Sequence, residues 1–370
     1  MTPKMTSIVR DEIAALAAYH VQDSAGMIKL DAMENPFGFP PHLRSQLGER
    51  LSYAAINRYP DAGADALKNA IRHAFNVPDN LDILLGNGSD EIIQLIAMAL
   101  AKPNATLLSV EPAFVMFKMI ATYCGIRYVG VPLTPDFEIN IDATLSAIHT
   151  HQPAVIFLAS PNNPTGNSFS VSTIDAIIQA SPGLVVIDEA YFAFSSTSFM
   201  NEVSRYQNVV LMRTVSKLGL AGLRLGMLIG DKKWLGEFDK VRLPYNINVL
   251  TQVAATFALE HIADFTAQTN ILIDERVKMA AELRLLFQDH ADAKQFASEA
   301  NFILIRLPAS HPATNVFNQL RADNILVKNT SSGHPLLQNT LRLTIGAPSE
   351  NSALIAALQN VFSPLTKAPS

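Results

Sequence analysis

Short apolar runs alternate with longer amphipathic stretches between about residue 80 and residue 230. The apolar runs are rich in Val, Ile and Leu and end near Gly, Pro, Asn or Asp, which is typical of strands buried on both faces of a mostly parallel sheet. Several of the intervening stretches repeat apolar residues at helical spacing. Strands are predicted at Ile83–Leu85, Ala105–Val110, Arg127–Val131, Ala154–Ala159, Leu184–Asp188, Val209–Met212 and Leu225–Ile229. Helices are predicted at Asp90–Ala101, Ile141–Thr150 and Ser170–Gln179.

The pattern changes in the last third of the chain, where helix dominates first and mixed elements follow. A long helical stretch is predicted from about Val249 to His290. The later strands are predicted at Phe302–Leu307, Ile325–Val327 and Leu341–Ile345, and the later helices near Thr314–Ala322 and Glu350–Val361.

These patterns predict an α/β protein with two domains. Residues 31–247 are expected to form a large domain with a mostly parallel central sheet flanked by helices, and residues 248–370 a smaller α+β domain. Residues 1–30 are expected to form an N-terminal arm. Ligands of parallel sheets bind beyond the carboxyl ends of the strands. Functional side chains are therefore expected just after the predicted strands.

Composition removes several classes of function. The chain carries 28 Lys and Arg against 33 Asp and Glu, a net charge of −5, so no basic surface indicates nucleic acid or anionic membrane as a partner. Cys124 is the one cysteine, which excludes an internal disulfide, and the nine histidines show no metal-ligand spacing. The longest apolar stretch, Ile92–Ala101, is too short to span a bilayer. We expect a cytoplasmic protein without a bound metal.

Lys217 is the residue that first indicates a chemistry. It follows two small hydroxyl residues, Thr214 and Ser216, and Arg224 lies seven positions further on. Pyridoxal phosphate needs an amine for its aldehyde, cations and hydroxyls for its phosphate, and an acid for its ring nitrogen. This segment supplies the first two, and Asp188, at the end of a predicted buried strand, supplies the third. A lone lysine is most often a solvated surface residue, so the combination carries the hypothesis.

Two turns and a tyrosine extend the hypothesis. Gly86–Glu91 follows a strand and opens a helix whose free N–H groups can bind an anion, although Asp90 could instead cap that helix. Ser160–Gly166 has the composition of a rigid turn, and Asn163 within it could donate a hydrogen bond to the phenolate oxygen of the cofactor. Tyr191 is expected near the same pocket. Each of these features also has a purely structural interpretation, as a cap, a turn or a core residue.

At these residues the chain resembles the fold-type-I aminotransferases that depend on pyridoxal phosphate, and within them the histidinol-phosphate group. The resemblance runs from about Tyr19 to Gly346, nearly the whole chain. Its most specific motifs are Asn-Asn-Pro-Thr-Gly, Asp-Glu-Ala-Tyr and Ser-Lys. The matching segments stand in family order: Glu34–Pro36, Asn57–Pro60, Gly88–Glu91, Ser160–Gly166, Asp188–Tyr191, Thr214–Lys217, Gly222–Gly226 and Leu341–Gly346.

The resemblance implies a role for each matching residue, and makes residues 31–247 the domain that binds pyridoxal phosphate. Lys217 would bond the cofactor aldehyde and transfer protons, and Asp188 would pair with the ring nitrogen. Asn163 and Tyr191 would bind the ring oxygen O3′, and Phe114 would stack on the ring. The phosphate group would lie among Gly88, Ser89, Asp90, Thr214, Ser216 and Arg224, with Tyr59 contributed by the partner subunit of a homodimer. The substrate would be bound by Tyr19, Asn35, Lys328 and Arg342, with the arginine on its acidic end.

The implied reaction is transfer of an amino group from histidinol phosphate to 2-oxoglutarate in histidine biosynthesis. Three positions depart from the family pattern. Phe114 lacks the hydroxyl of the usual stacking aromatic, and Lys328 stands where an arginine is common and cannot grip a phosphate bidentately. The interval from Lys217 to Arg224 is one residue shorter than in many aminotransferases. An aromatic amino-acid aminotransferase, a threonine-phosphate decarboxylase and a regulatory module that binds pyridoxal phosphate without turnover remain alternatives at this level.

Overall fold

The structure is a computed structural model that describes residues 8–18 and 22–362. The strands are β1 Ile28–Lys29, β2 Asp82–Asn87, β3 Thr106–Glu111, β4 Arg127–Pro132, β5 Val155–Ala159, β6 Leu184–Asp188, β7 Val209–Thr214, β8 Leu225–Gly230, β9 Lys294–Gln295, β10 Phe302–Arg306, β11 Ile325–Leu326, β12 Lys328–Asn329 and β13 Thr340–Thr344. The helices are α1 Asp11–Ala14, α2 Arg44–Ser52, α3 Asp65–Phe75, α4 Gly88–Leu100, α5 Met116–Cys124, α6 Ile141–His151, α7 Val171–Ala180, α8 Lys232–Asp239, α9 Val249–Glu260, α10 Ile262–Leu286, α11 Ala313–Ala322 and α12 Pro348–Phe362. Within the described ranges, none of these helices is long and apolar enough to cross a membrane.

The central sheet has seven strands in the order β2-β8-β7-β6-β5-β3-β4. β8 is antiparallel to both of its neighbours, β2 and β7, and the other pairs are parallel. All seven predicted strands are present, and the three predicted helices appear as α4, α6 and α7. The predicted α/β class with a mostly parallel sheet is therefore confirmed.

Helices cover both faces of this sheet, which is why its inner strands are continuously apolar. Every residue of β5, β6, β7 and β8 is buried. Because successive side chains of a strand point to opposite faces, Ile156 and Leu158 pack into one core cluster and Val155 and Phe157 into another. The two packed faces hold the strands in fixed register, and the carboxyl ends of the parallel strands β5, β6 and β7 lie together at one edge of the sheet.

The predicted helical stretch from Val249 to His290 consists of two helices, the second of which ends at Leu286. α9 ends at Glu260 and α10 begins at Ile262, with His261 at φ −114° and ψ 33° between them. The Nδ1 atom of His261 lies 2.9 Å from the Phe257 carbonyl oxygen. The two helices pack into different cores: Ala258 lies in the core of the central sheet, whereas Leu272 lies in that of the smaller unit. One straight helix could not serve both.

The smaller unit contains a four-stranded antiparallel sheet in the order β12-β13-β10-β9. α10, α11 and α12 contribute apolar residues to its core. The segment that includes Ile28–Lys29 also joins this unit, since β1 pairs in parallel with β11 and Leu30 lies in the same core. The boundaries after residues 30 and 247 stay predictions.

Candidate active site

A cavity of about 220 Å³ opens at the carboxyl ends of the central strands. β5, β6 and β7 end there, and α4 begins there after β2. The cavity brings together the predicted residues Gly88, Ser89, Asp90, Phe114, Asn163, Asp188, Tyr191, Thr214, Ser216, Lys217 and Arg224. These residues come from segments up to 136 positions apart (224 − 88), so the sheet edge is what assembles them.

Lys217 lies in a short 3₁₀ turn, Ser216–Leu218, directly after β7. Its Nζ donates a hydrogen bond to the Ala32 carbonyl oxygen at 3.2 Å and lies 5.8 Å from the centre of the Tyr191 ring. Burial, together with the nearby positive charge of Arg342, lowers the pKa of Lys217 to about 8. An amine with this pKa is partly neutral near pH 7 and can act as a nucleophile or base.

Asp188 is the last residue of β6, and its side chain is almost completely buried. Among the described residues, the one hydrogen bond to its carboxylate comes from the Ala190 backbone N–H, at 3.0 Å. Burial raises the pKa of Asp188 to about 7; the Ala190 hydrogen bond opposes this shift, and the negative charges of Asp90 and Glu189 add to it. A carboxylate so poorly solvated would be strongly stabilised by a cation beside it.

The N-terminus of α4 forms one end of the cavity. Gly88, its first residue, has φ +79°, and a Cβ atom there would lie 2.7 Å from Nη2 of Arg224. Gly226 on β8 lets this turn approach the sheet, since a Cβ there would lie 2.5 Å from the Gly88 carbonyl carbon. Asn87, the N-cap residue, makes no side-chain cap hydrogen bond. The free N–H groups of the first turn and the positive end of the helix dipole therefore suit an anion.

Side chains from β7, from the segment between β7 and β8, and from α4 surround the same end. The Thr214 and Ser216 hydroxyl oxygens lie 2.9 Å apart, and Thr214 Oγ1 donates to the Leu225 carbonyl oxygen at 3.0 Å. Nη2 of Arg224 lies 3.4 Å from an Asp90 carboxylate oxygen. Asp90 is thus an ion-pair partner in the first turn of α4 and does not cap the helix; the N-cap position belongs to Asn87, whose side chain makes no cap hydrogen bond.

Near the other end of the cavity, Arg342 fixes the orientation of Asn163 by hydrogen bonding. Its Nη1 donates to the Asn163 side-chain oxygen at 2.6 Å, and its Nη2 donates to the Asp31 carbonyl oxygen at 2.7 Å. Because a guanidinium only donates, Asn163 must turn its oxygen to the arginine, which leaves its NH₂ group as a donor for the cavity. Burial raises the pKa of the Tyr191 phenol, which therefore keeps its proton and can donate as well.

A sequence model of the family "aminotransferase class I and II" matches residues 25–358. The chain belongs to the class I and II aminotransferases. It is 51% identical over 355 residues to the histidinol-phosphate aminotransferase of Chromobacterium violaceum, covering 96% of this chain and 98% of that protein. It is 47% identical over 355 residues to histidinol-phosphate aminotransferase 2 of Cupriavidus pinatubonensis, covering 95% of each. The predicted family is therefore confirmed.

Solved structures agree with the fold. The histidinol-phosphate aminotransferase of Sinorhizobium meliloti, in complex with pyridoxal 5′-phosphate, superposes with a TM-score of 0.83 at 22% identity and covers 96% of this chain and 98% of that one. The L-threonine-O-3-phosphate decarboxylase of Porphyromonas gingivalis gives a TM-score of 0.76 at 23% identity, covering 91% and 100%. At these identities the likeness establishes the fold alone.

Class I and II aminotransferases depend on pyridoxal phosphate, and the residues of the cavity fit that cofactor. A partly neutral lysine, a buried carboxylate that accepts a single backbone hydrogen bond among the described residues, and an open helix N-terminus are the three groups that the cofactor requires. Gly88 leaves the space beside Arg224 that any side chain would fill. No group of three or more His, Cys, Asp or Glu within the described ranges could hold a metal ion.

Asn35, predicted to bind substrate, does not line the cavity of this aminotransferase. Its side-chain NH₂ donates to the Leu218 carbonyl oxygen and to the Gln268 side chain, each at 3.3 Å, and its oxygen accepts from the Phe37 N–H at 2.9 Å. All its polar atoms are engaged within the protein, so it fastens its segment next to Lys217. Tyr19 lies outside the described residues.

Lys328, Arg342 and Tyr59 also lie outside the cavity lining. Lys328 is exposed on β12, directly opposite Arg342 in the pairing with β13. Arg342 is buried and reaches the lining through Asn163. Tyr59 is 81% exposed and stacks on Tyr245 with the ring centres 4.6 Å apart.

Sequence reasoning missed two features of the site. Glu189 and Arg213 form a buried ion pair, with Arg213 Nε and Nη2 at 3.0 and 2.8 Å from one Glu189 oxygen. Glu34 lines the cavity and bonds Lys29 at 2.5 Å. The only signal for the pair was a charge of each sign at the ends of two adjacent apolar strands, and Glu34 showed none beyond its place in a matching motif.

Proposed function

We propose that this aminotransferase transfers the amino group of histidinol phosphate to 2-oxoglutarate, giving imidazole acetol phosphate and glutamate. One observation carries the proposal: Lys217 and the buried Asp188 share a cavity with an open helix N-terminus, beside the buried Arg342. The high identity to proteins named for this reaction, over nearly the whole length of both chains, supports the choice of substrate.

Lys217 does the covalent and proton-transfer work in this proposal. When bound, pyridoxal phosphate supplies an aldehyde for an amine and a ring that withdraws electrons. The neutral amine of Lys217 would hold the aldehyde of the cofactor in the absence of substrate. With substrate bound, Lys217 would be the group that accepts the proton of the substrate Cα and donates one at cofactor carbon C4′, for which a pKa of about 8 is suitable. The Ala32 carbonyl, 3.2 Å away, gives the freed lysine a resting position.

Asp188 keeps the ring nitrogen protonated in the proposed site. The carboxylate lines the cavity and accepts one backbone hydrogen bond among the described residues, so a cationic ring nitrogen would be a second partner for it. Asn163 and Tyr191 donate to the ring oxygen, the first because Arg342 fixes its orientation. Phe114 lies in the lining, where it can stack on the ring.

The phosphate of the cofactor is proposed to lie at the start of α4. Backbone N–H groups from Gly88 to Asp90, the hydroxyls of Ser89, Thr214 and Ser216, and the guanidinium of Arg224 surround that position. Asp90 contributes its main chain there, while its carboxylate orients Arg224.

Arg342 and Lys328 are proposed to bind the acidic groups of the substrates. Arg342 is held at Asn163 and at the Asp31 carbonyl, beside the cofactor site. A fixed guanidinium suits the carboxylate of glutamate. Lys328 lies across the strand pair from Arg342, so the two cations would suit a dianionic phosphate better than a single carboxylate. Tyr19 and Asn35 are proposed to complete this side of the site, Asn35 by holding its segment in place.

A homodimer is proposed, with Tyr59 reaching the cofactor phosphate of the partner subunit. Tyr59 is exposed and stacks on Tyr245, and the nearby chain segments also expose Tyr53, Ile56 and Leu243. Large exposed apolar side chains are typical of protein interfaces when they form a patch. We also propose that the enzyme works in the cytoplasm, with small-molecule substrates.

A coupled assay with three amino compounds tests the function. Histidinol phosphate, phenylalanine and phosphothreonine would each be offered with 2-oxoglutarate, and both glutamate and CO₂ would be measured. We expect kcat/KM for histidinol phosphate to exceed that for phenylalanine by about tenfold or more, a difference of ~1.4 kcal/mol in transition-state binding. A preference for phenylalanine, CO₂ release from phosphothreonine, or no turnover with any of the three would each reject the proposal.

A further inference from the structure

The segment Asp31–Asn35, called the strap below, contributes Ala32, Met33 and Glu34 to the lining of the active-site cavity and is held by hydrogen bonds along its length. The carbonyl oxygens of Asp31, Ala32 and Met33 accept hydrogen bonds from Arg342, Lys217 and Asn301, at 2.7, 3.2 and 3.0 Å. The Met33 N–H donates to the Thr344 hydroxyl at 3.2 Å. The strap is therefore bonded to the groups proposed to act on the cofactor and the substrate.

Met33 has a backbone conformation that a methionine adopts only at a cost. Its φ is +52°, in the left-handed region that L-residues other than Gly, Asn and Asp rarely adopt, and its side chain is buried against Tyr191 and Phe302. Such a conformation persists only where the surrounding contacts impose it, and it occurs often at functional sites. In this strap the residue that follows the turn is Glu34, and Glu34 lines the cavity.

Glu34 is the one acidic residue of the cavity lining without a partner in the proposed cofactor site. The other two acidic residues of the lining are Asp188, at the ring nitrogen, and Asp90, bonded to Arg224. Glu34 is bonded instead to Lys29, which does not line the cavity and lies 3.5 Å from Asp31 as well. Its side chain is 47% exposed and lines the cavity, so a ligand in the cavity can reach it. The ion pair with Lys29 restricts the position of the carboxylate.

We propose that Glu34 is a specificity-determining residue, whose carboxylate accepts a hydrogen bond from the imidazole N–H of the substrate. The inference rests on the proposed function, because that substrate carries an imidazole ring besides its amine and phosphate. In the proposed site the substrate phosphate is bound by cations and the substrate amine reacts with the cofactor. The imidazole N–H still requires a hydrogen-bond acceptor. A ring without an N–H group would displace water from the carboxylate without replacing the lost hydrogen bond, which is how a polar site rejects an apolar analogue.

Two substrates that differ only in the ring test this role. Histidinol phosphate and phenylalaninol phosphate share the amine and the phosphate, and only the first has a ring N–H. We expect Glu34→Ala to lower the ratio of kcat/KM between them by roughly 10- to 100-fold, the value of a hydrogen bond to a charged group. Glu34→Gln, which keeps an acceptor without the charge, should lie between wild type and Glu34→Ala. Glu282→Gln, on the exposed side of α10, is the matched control and should keep the wild-type ratio.

Calorimetry separates substrate recognition from turnover. In the Lys217→Ala background, adding Glu34→Ala should weaken binding of histidinol phosphate by a similar factor and leave phenylalaninol phosphate the less affected ligand. Equal losses for both ligands, or an unchanged ratio, would overturn the role of Glu34 while leaving the proposed function intact. Wild-type enzyme that does not act on histidinol phosphate would instead reject the proposed function itself.

Discussion

Buried charged residues lie on both faces of the central sheet near the same strand ends, but they differ in how many partners they have within the protein. On the cavity face, Asp188 is buried with one backbone hydrogen bond and Lys217 with one carbonyl contact, among the described residues. On the opposite face, Glu189 and Arg213 are equally buried and bond each other through two nitrogens. Glu189 also accepts from the Ser198 hydroxyl.

The two faces differ in whether their buried charges have oppositely charged partners within the protein. The charges of Glu189 and Arg213 are satisfied within the protein, so this pair holds the ends of β6 and β7 together. The charged groups of the cavity face have shifted pKa values, toward 7 for Asp188 and toward 8 for Lys217, because burial is not offset by partners. Removing a residue from the cavity face should therefore abolish activity at little cost in stability, and removing one from the opposite face should mainly cost stability.

The largest effect is expected for Lys217→Ala. Purified wild-type protein should be yellow from the lysine-bound cofactor. The variant should lose that absorbance band but still bind pyridoxal phosphate through the proposed phosphate site at the start of α4. Loss of the proton-transfer group alone lowers rates by about 100- to 10,000-fold. Single-turnover kinetics and equilibrium dialysis measure the two properties. Wild-type turnover in the variant would remove Lys217 from the mechanism.

Asp188→Asn should come next in its effect on activity. A neutral amide cannot hold the proton on the ring nitrogen, and a lost charge-assisted contact of about 3 kcal/mol corresponds to roughly 100-fold in rate. The fold should be retained, since the amide can still accept the Ala190 hydrogen bond. Turnover within threefold of wild type would contradict the assigned role.

Glu189→Gln should mainly lower the stability of the protein, whereas the cavity variants should mainly lower its activity. The change leaves the Arg213 guanidinium buried without its carboxylate, which typically costs about 3–5 kcal/mol of stability. Urea unfolding of the variant gives the loss directly. The matched control is Glu202→Gln, which breaks the exposed pair with Arg205 and should cost under about 1 kcal/mol. A Glu189→Gln protein as stable as that control would remove the distinction between the faces.

The stability of the apoprotein as a function of pH tests whether Asp188 is buried without a charged partner. Because the pKa of Asp188 is raised in the folded protein, the folded state binds more protons than the unfolded state between about pH 4 and pH 7. The contribution of Asp188 to stability should therefore be present at low pH and be lost as the pH rises to 7. Denaturant unfolding of the apoprotein at pH 5 and pH 7.5 should show a smaller decline for Asp188→Asn than for wild type. Equal declines in the two proteins would mean that Asp188 is ionised throughout.

The sequence contained enough to predict the sheet and most of the cavity, for a physical reason. Buried strands leave an unmistakable apolar pattern, and parallel strands bring their carboxyl ends to one edge, so Asp188, Asn163 and Lys217 had to lie close together. The contacts that escaped prediction depend on geometry between distant elements. Glu189 directly follows β6 and Arg213 lies on the neighbouring strand β7, 24 positions away in the chain, so the two meet only once the sheet has formed.

Two other features could not be predicted because the residues that usually mark them are absent from the sequence there. The break between α9 and α10 falls at His261, where helical spacing of apolar residues continues and neither Gly nor Pro marks a stop. The turn at Met33 uses a left-handed conformation without Gly or Asn, the residues that normally announce it. Its consequence, the placement of Glu34 in the cavity, could not be predicted from residue types alone.

The smallest effect is expected in the smaller unit, where a fixed charge and an exposed charge again stand side by side. Arg342 is buried and bonded to Asn163, whereas Lys328, directly opposite on β12, is exposed and is expected to act only on the substrate phosphate. Lys328→Met should therefore lower kcat/KM for histidinol phosphate by about fivefold, the value of ~1 kcal/mol, and affect glutamate far less. Arg342→Met should impair both half-reactions, because it also releases Asn163. Cofactor absorbance follows each half-reaction separately, and equal losses for the two substrates in Lys328→Met would show that this lysine is an ordinary solvated residue.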